Sequence, residues 1–288
     1  MATRHVLNRY LRTSGVLVLV LLTAACSTLT IQEEKELGRE VQRAVRDQHT
    51  FIRDPVSVRY VRDLGAQLVA ASPPSPFEFR FYVIEDESLN AFAIPGGAIY
   101  INSGLIQEVS DVGELAGVMA HEIGHVTARH VAKTAKRGRN TGVVAQVLYL
   151  AIAILTGSPY LADAGGLATQ VAAQAYMSTY TQDAERESDS LAIDTLIRAG
   201  YDPTAMVTMF QKLDSDSEGG TRMPQFLSSH PAPRDRILAA EAEIATRGNT
   251  EGLRRTDGGR LEIIQKRLEL IIGTDVEEMM EEDEELEE

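Results

Sequence analysis

The 288-residue sequence contains one cysteine and no tryptophan. One cysteine rules out an internal disulfide, so the fold rests on its core and not on cross-links. No apolar run reaches the about 20 residues that a membrane-spanning helix needs. Val16–Leu22 is too short, and so is Val143–Leu155, where only Gln146 is strongly polar. Basic residues are also scarce: 28 Lys and Arg face 42 Asp and Glu, for a formal charge of −14. That balance argues against nucleic acid as a partner and against electrostatic adhesion to anionic lipid.

Residues Met1 to Ala25 run against the acidic trend, with Arg4, Arg9, Arg12 and no acid ahead of the short apolar run. They read as a secretory signal. The small residues Ala24 and Ala25 directly before Cys26 resemble a bacterial lipobox, although Thr23 stands where such boxes usually carry Leu. The most economical role for the lone Cys26 is to carry lipid, and two or three acyl chains anchor firmly where one does not. The alternative is an ordinary signal cleaved near an incidental cysteine. By resemblance to lipoprotein sorting, Ser27 favours the outer membrane. The expectation is a lipoprotein signal peptide over 1–25 and a lipidated linker over 26–30, anchored at the periplasmic face of the outer membrane. Loss of the three arginines takes the charge from −14 to −17.

The rest of the chain makes most sense around Glu114 to His130, ELAGVMAHEIGHVTARH. On a helix His121 and His125 stand four residues apart at roughly 100° per residue, so one face carries both imidazoles and they can share one ion. Glu122 can then reach a water on that ion. Leu115, Val118, Met119, Ile123 and Val126 surround the motif, so the helix is buried and its His and Glu need partners. Asp111 with Glu114 suggests its cap, and Gly138 after Lys133, Lys136 and Arg137 suggests its stop. His130, nine positions from His121, falls about 180° round that helix and reads as a structural or surface histidine.

A catalytic zinc ordinarily takes three protein ligands and keeps one position open. Val131 occupies the place where HExxHxxGxxH would have its third histidine, so the metzincin pattern is excluded. The next candidates lie in TQDAERESDSLAIDTLIRAGYDP, a second helix ending at Gly200, with another beginning at Asp202–Pro203. Glu185 and Asp189 share a face there. One can bind zinc while the other accepts the spare N–H of a ligating histidine. Glu187, about 200° from Glu185, reads as solvent-facing.

Four motifs in this order resemble the gluzincin metallopeptidases that include the CAAX prenyl proteases, HtpX and the periplasmic BepA-like proteins: NAFAIPGGAIYINSGLI, AHEIGHVTARH, ERESD and SSHPAPRDRI. The resemblance covers about Ile31 to Ala245. It implies one Zn2+ per chain with His121, His125 and Glu185 as ligands, Glu122 as general base and Asp189 supporting a ligand histidine. It also implies that His230 faces the metal, either stabilising an oxyanion or closing the site as a removable fourth ligand.

Around this site, Thr30 to Glu33 is a capping box opening a helix to about Gln48. Val58, Val61, Leu64 and Leu68 mark a second helix between Pro55 and Pro73. Phe77, Phe79, Phe81 and Val83 alternate as a strand, and Asn90–Ile94 and Ala98–Asn102 flank a turn at Pro95–Gly97. An exposed edge strand beside the metal site can pair with an extended peptide, so the expected substrates are unfolded or extended proteins. Val143–Leu155 with the Gly- and Ala-rich 158–175 reads as a core helix or a lid. Leu213–Pro224 reads as an acidic loop, and Pro231 and Pro233 make His230 a rigid approach to a helix. Leu261, Ile264, Leu268 and Ile271 mark an amphipathic helix, packed on the domain or offered to a partner.

The expected architecture is α+β, a mostly helical zincin-like domain over 31–248 with one small sheet beside the metal helix. The amphipathic helix follows over 249–272 and a disordered acidic tail over 273–288. The expected activity is zinc endopeptidase action in periplasmic protein quality control, with outer-membrane assembly machinery as partner. The alternative is an envelope-assembly chaperone whose zinc site His230 keeps closed.

Overall fold

The computed structural model describes residues 29–138, 180–219, 226, 230, 233–248 and 250–287. The signal segment 1–25, Cys26, Val143–Leu155 and the 158–175 segment lie outside the described residues.

Helix α1 (Ile31–Gln48) opens on the expected capping box: Thr30 Oγ1 accepts the Glu33 N–H at 3.2 Å and Glu33 Oε2 accepts the Thr30 N–H at 2.7 Å. Helix α2 (Pro55–Ala71) starts with Pro55 behind the cap Asp54, which accepts the Ser57 N–H at 2.9 Å. Three strands follow: β1 (Arg80–Ile84), β2 (Ala91–Ala93) and β3 (Ala98–Asn102). Their order is β1-β3-β2, with β1 parallel to β3 from Arg80↔Ala98 to Ile84↔Asn102 and β2 antiparallel to it from Ala91↔Ile101 to Ala93↔Ile99. β1 begins three residues later than the alternation from Phe77 predicts. Its partner β3 starts only at Ala98, and the turn before it offers Phe77 and Phe79 no ladder.

β2 is an edge strand among the described residues. The Ile94 N–H bonds Ala98 O and the Asn102 N–H bonds Asn90 O, so the even-numbered residues of this stretch face β3. The backbone groups of Ala91 and Ala93 therefore point away from β3, on the side where the Ala93 N–H donates to Glu122.

After the short α3 (Ser103–Glu108) comes α4 (Val112–Thr127), the metal-motif helix, buried from Val112 to Val126 and capped by Asp111 as expected. It stops at Thr127, not at Gly138. Arg129 adopts a left-handed φ of 56°, the one non-glycine among the described residues to do so, and a separate α5 (His130–Gly138) follows. Such a conformation costs about 1–2 kcal/mol. Contacts offset it: Arg129 is ion-paired to the buried Glu34 of α1 and donates to Leu29 O at 2.6 Å.

Helix α6 (Gln182–Ala199) carries the acidic motif and ends at Gly200, φ 80°, whose N–H reaches Ile197 O while Tyr201 N–H reaches Leu196 O. Helix α7 (Thr204–Gly219) continues through residues read from sequence as a loop. Leu213 is buried, and Asp214 is paired with Arg234 at 3.0 Å, so tertiary contacts override weak local propensity. Helix α8 is Pro233–Thr246 and α9 is Arg260–Glu287.

The sheet separates two apolar layers. On one face α1 brings Val41 and Val45 against Phe92, Ile94 and Tyr100. On the other the main core gathers α2, α4, α6 and α7. Leu261, Ile264 and Leu268 of α9 belong to that core, so α9 is packed on the domain and not offered away from it. α9 continues to Glu287, through the residues expected as an acidic tail. Glu is a good helix former, and no Pro interrupts the run. Among the described residues no helix is long and apolar enough to cross a membrane.

Candidate metal centre

α4 and α6 touch because their contact residues are small. A Cβ on Gly124 would lie 2.6 Å from Ser188 Oγ and 3.1 Å from Ser188 O. The Ser188 hydroxyl also donates to His121 O at 2.6 Å, tying the helices one turn from the ligands. That close approach lets Glu185 and Asp189 reach the two histidines of α4.

His121 Nε2 lies 2.9 Å from His125 Nε2 and 3.5 Å from Glu185 Oε2, and His125 Nε2 lies 3.4 Å from Glu185 Oε1. His230 Nδ1 joins them at 3.2 Å from His121 Nε2 and 3.1 Å from Glu185 Oε1. All four residues are buried. Tetrahedral donors at zinc distances stand about 3.3 Å apart, so the spacing fits such an ion. The charge balance fits as well. Glu122, Glu185 and Asp189 are buried with Arg236 as their cation, an excess that a divalent ion would offset.

Glu122 sits beside this cage, 1% exposed. Its Oε1 has no hydrogen-bond partner among the described residues. His230 Nε2 lies 3.3 Å from it, at ion-pair distance but without hydrogen-bond alignment. Burial pushes the Glu122 carboxyl up against the pull of His230 and His121, and a hydrogen bond from the Ala93 backbone on β2 also lowers it.

Asp189 does not enter the cage. Its Oδ1 lies 2.8 Å from His121 Nδ1, the nitrogen pointing away from the other donors. Arg236 grips the same carboxylate from α8 with two bonds, of 2.8 and 2.7 Å, and places Nη1 2.9 Å from Glu185 Oε2. Burial would raise Asp189, but Arg236 beside it wins and holds it below the usual carboxylate range. Burial likewise opposes the charge on Glu185, and His230 and His125 outweigh it downward. Burial pulls the His121 imidazole down, yet Asp189 and Glu185 hold it raised to about 9, whereas the His125 imidazole, under burial, is lowered.

The sequence reading therefore finds His121, His125, Glu122, Glu185, Asp189 and His230 gathered in one place; Cys26 lies outside the described residues. Arg234 and Arg236 are both candidates to pair with acids near the cleft that sequence does not assign; Arg236 turns inward to Asp189 and Glu185, and Arg234 pairs with Asp214. Tyr180 was missed. Its ring lies 3.9 Å from that of His125 and stacks on His230 at 5.6 Å, and Phe226 also stacks on His230, at 4.4 Å. The reading of His130 as turned away is corrected. The break at Arg129 redirects the chain, and His130 Nδ1 lies 2.8 Å from His125 Nδ1. Glu187 is half-exposed but bonded, to His130 and to Lys133.

Residues 56–244 match Peptidase family M48. The beta-barrel assembly-enhancing protease of Yersinia pestis is 36% identical over 219 residues, covering 76% of this chain and 45% of the relative. Its counterpart in Escherichia coli K12 is 34% identical over 219 residues, with the same coverages of 76% and 45%. The metalloprotease LoiP of E. coli K12 is 31% identical over 161 residues, 56% of this chain and 60% of the relative. The chain spans about half the length of the assembly-enhancing proteases that it matches. Because the match runs from the first turn of α2 to the last turn of α8, across every element that contributes to the cage, the chain belongs to peptidase family M48.

Proposed function

We propose that the chain is a zinc endopeptidase of the bacterial envelope that cleaves unfolded or misassembled proteins in extended conformation. The observation that carries this reading is the buried cage of His121, His125 and Glu185 with the unsatisfied Oε1 of Glu122 beside it. A zinc ion held by those three residues would lower the pKa of a water to about 7 and polarise a peptide carbonyl. Glu122 is placed to take a proton from a water as its oxygen adds to the carbonyl carbon, and to return it to the amine as the C–N bond breaks. Asp189, clamped by Arg236, keeps His121 in the tautomer whose Nε2 lone pair faces the cage. Strand pairing at the β2 edge, which would select extended backbone over particular side chains, requires the buried Ala93 to give up the hydrogen bond that it makes to Glu122.

Cys26 carries the lipid that holds the enzyme at the periplasmic face of the outer membrane in this reading. The names of the relatives from Yersinia pestis and E. coli support substrates and partners in β-barrel assembly.

One observation favours a second reading, a zinc-gated assembly chaperone with latent peptidase activity. His230 puts Nδ1 among the cage donors and Nε2 toward Glu122, so it occupies the approach that a substrate carbonyl and water need. Oxyanion stabilisation by His230 requires it to withdraw from this position; closure requires it to stay.

Degradation of an unfolded model protein, with zinc determined on each sample, tests both readings on wild type, Glu122→Gln and His230→Ala. Zinc-loaded wild type that cleaves, with Glu122→Gln that keeps zinc and does not, supports the peptidase. Activity gained in His230→Ala identifies the closure. Zinc-loaded wild type and His230→Ala that both fail to cleave would sink the peptidase in favour of the chaperone, and absence of zinc from all forms would sink the cage.

A further inference from the structure

The two α4 ligands in the proposed zinc cage each have a second ring nitrogen, and the two nitrogens meet different partners. For His121 it is the Asp189 carboxylate. For His125 the neighbour is His130 Nδ1 at 2.8 Å, and His130 Nε2 in turn lies 3.1 Å from Glu187 Oε2. Lys133, one turn along α5, holds both Glu187 oxygens at 3.0 and 2.8 Å.

We infer that His130 is a positioning residue for the metal cage, holding the His125 ring by a one-way chain of hydrogen bonds that ends on Glu187 and Lys133. This rests on reading the cage as a zinc site. The direction of the chain follows from the chemistry of neutral imidazole, which has one N–H and one lone pair. Nε2 of His125 faces the other cage donors, so it must keep its lone pair and the proton sits on Nδ1. His130 Nδ1 must then accept, which places the His130 proton on Nε2, where Glu187 accepts it. Glu187 is an acceptor only, and Lys133 is a donor only. Every atom in the chain has one role.

Three features of the fold serve this arrangement. The left-handed Arg129, anchored on Glu34, ends α4 and starts α5 so that the first residue of α5 returns over the last ligand. Tyr180 packs on the His125 ring at 3.9 Å and closes on His130 at 6.0 Å, limiting rotation of the ligand ring. Glu187 follows the ligand Glu185 by two residues, so one stretch of α6 supplies a cage donor on its buried face and the chain's terminus on its half-exposed face. His130 itself is 1% exposed.

The test is zinc affinity of the full-length chain, read by competition with a chromophoric chelator, for wild type, His130→Leu, His130→Asn and Glu187→Gln. The melting temperature of each metal-free form is measured alongside. His130→Leu should weaken zinc binding about 10- to 100-fold, the range for loss of a group that orients a ligand. His130→Asn, whose side-chain oxygen stands where Nδ1 stood, should restore most of that loss, a rescue that mere core packing does not explain. Glu187→Gln, half-exposed and harmless to the core, should weaken binding by a smaller factor. His130→Leu folding and binding zinc like wild type would overturn the inference; should His130→Leu not fold, unchanged affinity in Glu187→Gln would do so. Equal losses in His130→Leu and His130→Asn, tracking their metal-free melting temperatures, would also overturn it, as a packing role. Wild type that binds no zinc would remove the cage reading, and this inference with it.

Discussion

The two ends of α4 both bury acidic residues and use them in opposite ways. At the N-terminal end Glu114 is 3% exposed and fully bonded. Its Oε2 accepts from Ser110 N–H at 2.8 Å and Lys212 at 3.2 Å, and its Oε1 accepts from the Thr208 hydroxyl at 3.0 Å. Arg255 closes the network through Asp111 and Thr208. At the C-terminal end Glu122 has a buried oxygen without a hydrogen-bond partner, and four lone-pair donors crowd together. A satisfied network holds a helix in place. Donors that converge on each other are costly unless a cation lies among them. With the same acid at both ends of one helix, the distinction between scaffold and chemistry lies in which atoms remain unsatisfied.

The comparison breaks first at the acids themselves. Glu122→Gln should lower the cleavage rate about 10²- to 10⁴-fold at unchanged zinc content, as expected for loss of a general base. Glu114→Gln should leave turnover close to wild type and instead destabilise by about 1–3 kcal/mol, read by urea denaturation. If Glu114→Gln lost activity without losing stability, the two ends would not differ as argued.

Arg236 tests whether the buried charges of the cage depend on it. Arg236→Leu leaves Asp189 and Glu185 without their guanidinium and should cost about 3–5 kcal/mol, measured by denaturation of the metal-free protein. A loss below about 1 kcal/mol would mean that those carboxyls are not held ionised by Arg236.

Chelation sharpens the contrast. Zinc at 100 times its Kd should stabilise the fold by about 2.7 kcal/mol, seen as a rise in melting temperature that a chelator abolishes. Glu114→Gln should show the same zinc-dependent rise as wild type, because its network lies away from the cage.

The smallest effect belongs to Asp54, which caps α2 and pairs with Arg267 of α9. Arg267 holds its carboxyl well below the usual carboxylate range, with the Ser57 bonds adding to the pull against burial. A depressed folded pKa stabilises above the unfolded value of about 3.9 and is lost as pH falls through the folded value. Asp54→Ala should cost roughly 1 kcal/mol of helix cap near neutrality. The melting-temperature gap to wild type should narrow as pH falls below about 4, where the unfolded chain takes up the proton while the folded carboxylate stays ionised. A gap independent of pH would exclude the ion pair as its source.

Most of the local structure was legible because its causes are local. The Thr30 box, Pro55 behind Asp54 and Gly200 each satisfy or terminate a backbone within a few residues, and these ends stand where the pattern puts them. The ligand histidines were legible because i, i+4 spacing puts them on one face before any tertiary contact forms. The misreadings are all long-range. Arg129 breaks α4 without glycine or proline because Glu34, far away in sequence, holds it. His130 was projected from a straight helix that does not exist. Arg236 was one of two equivalent arginines until α8 was placed against α6.

The sequence by itself determined the elements, their caps, the HExxH pair and the carboxylates that accompany it, since each depends on periodicity or on neighbours within a turn. Tertiary structure alone decided which nitrogen faces which oxygen. The His230 position in the cage and the Arg236 clamp require segments distant in the chain to meet within about 3 Å, the reach of a hydrogen bond, and the His130 contact to His125 requires the break at Arg129 that the distant Glu34 holds. That distance is set by close contacts such as Gly124 against Ser188, which no local pattern encodes.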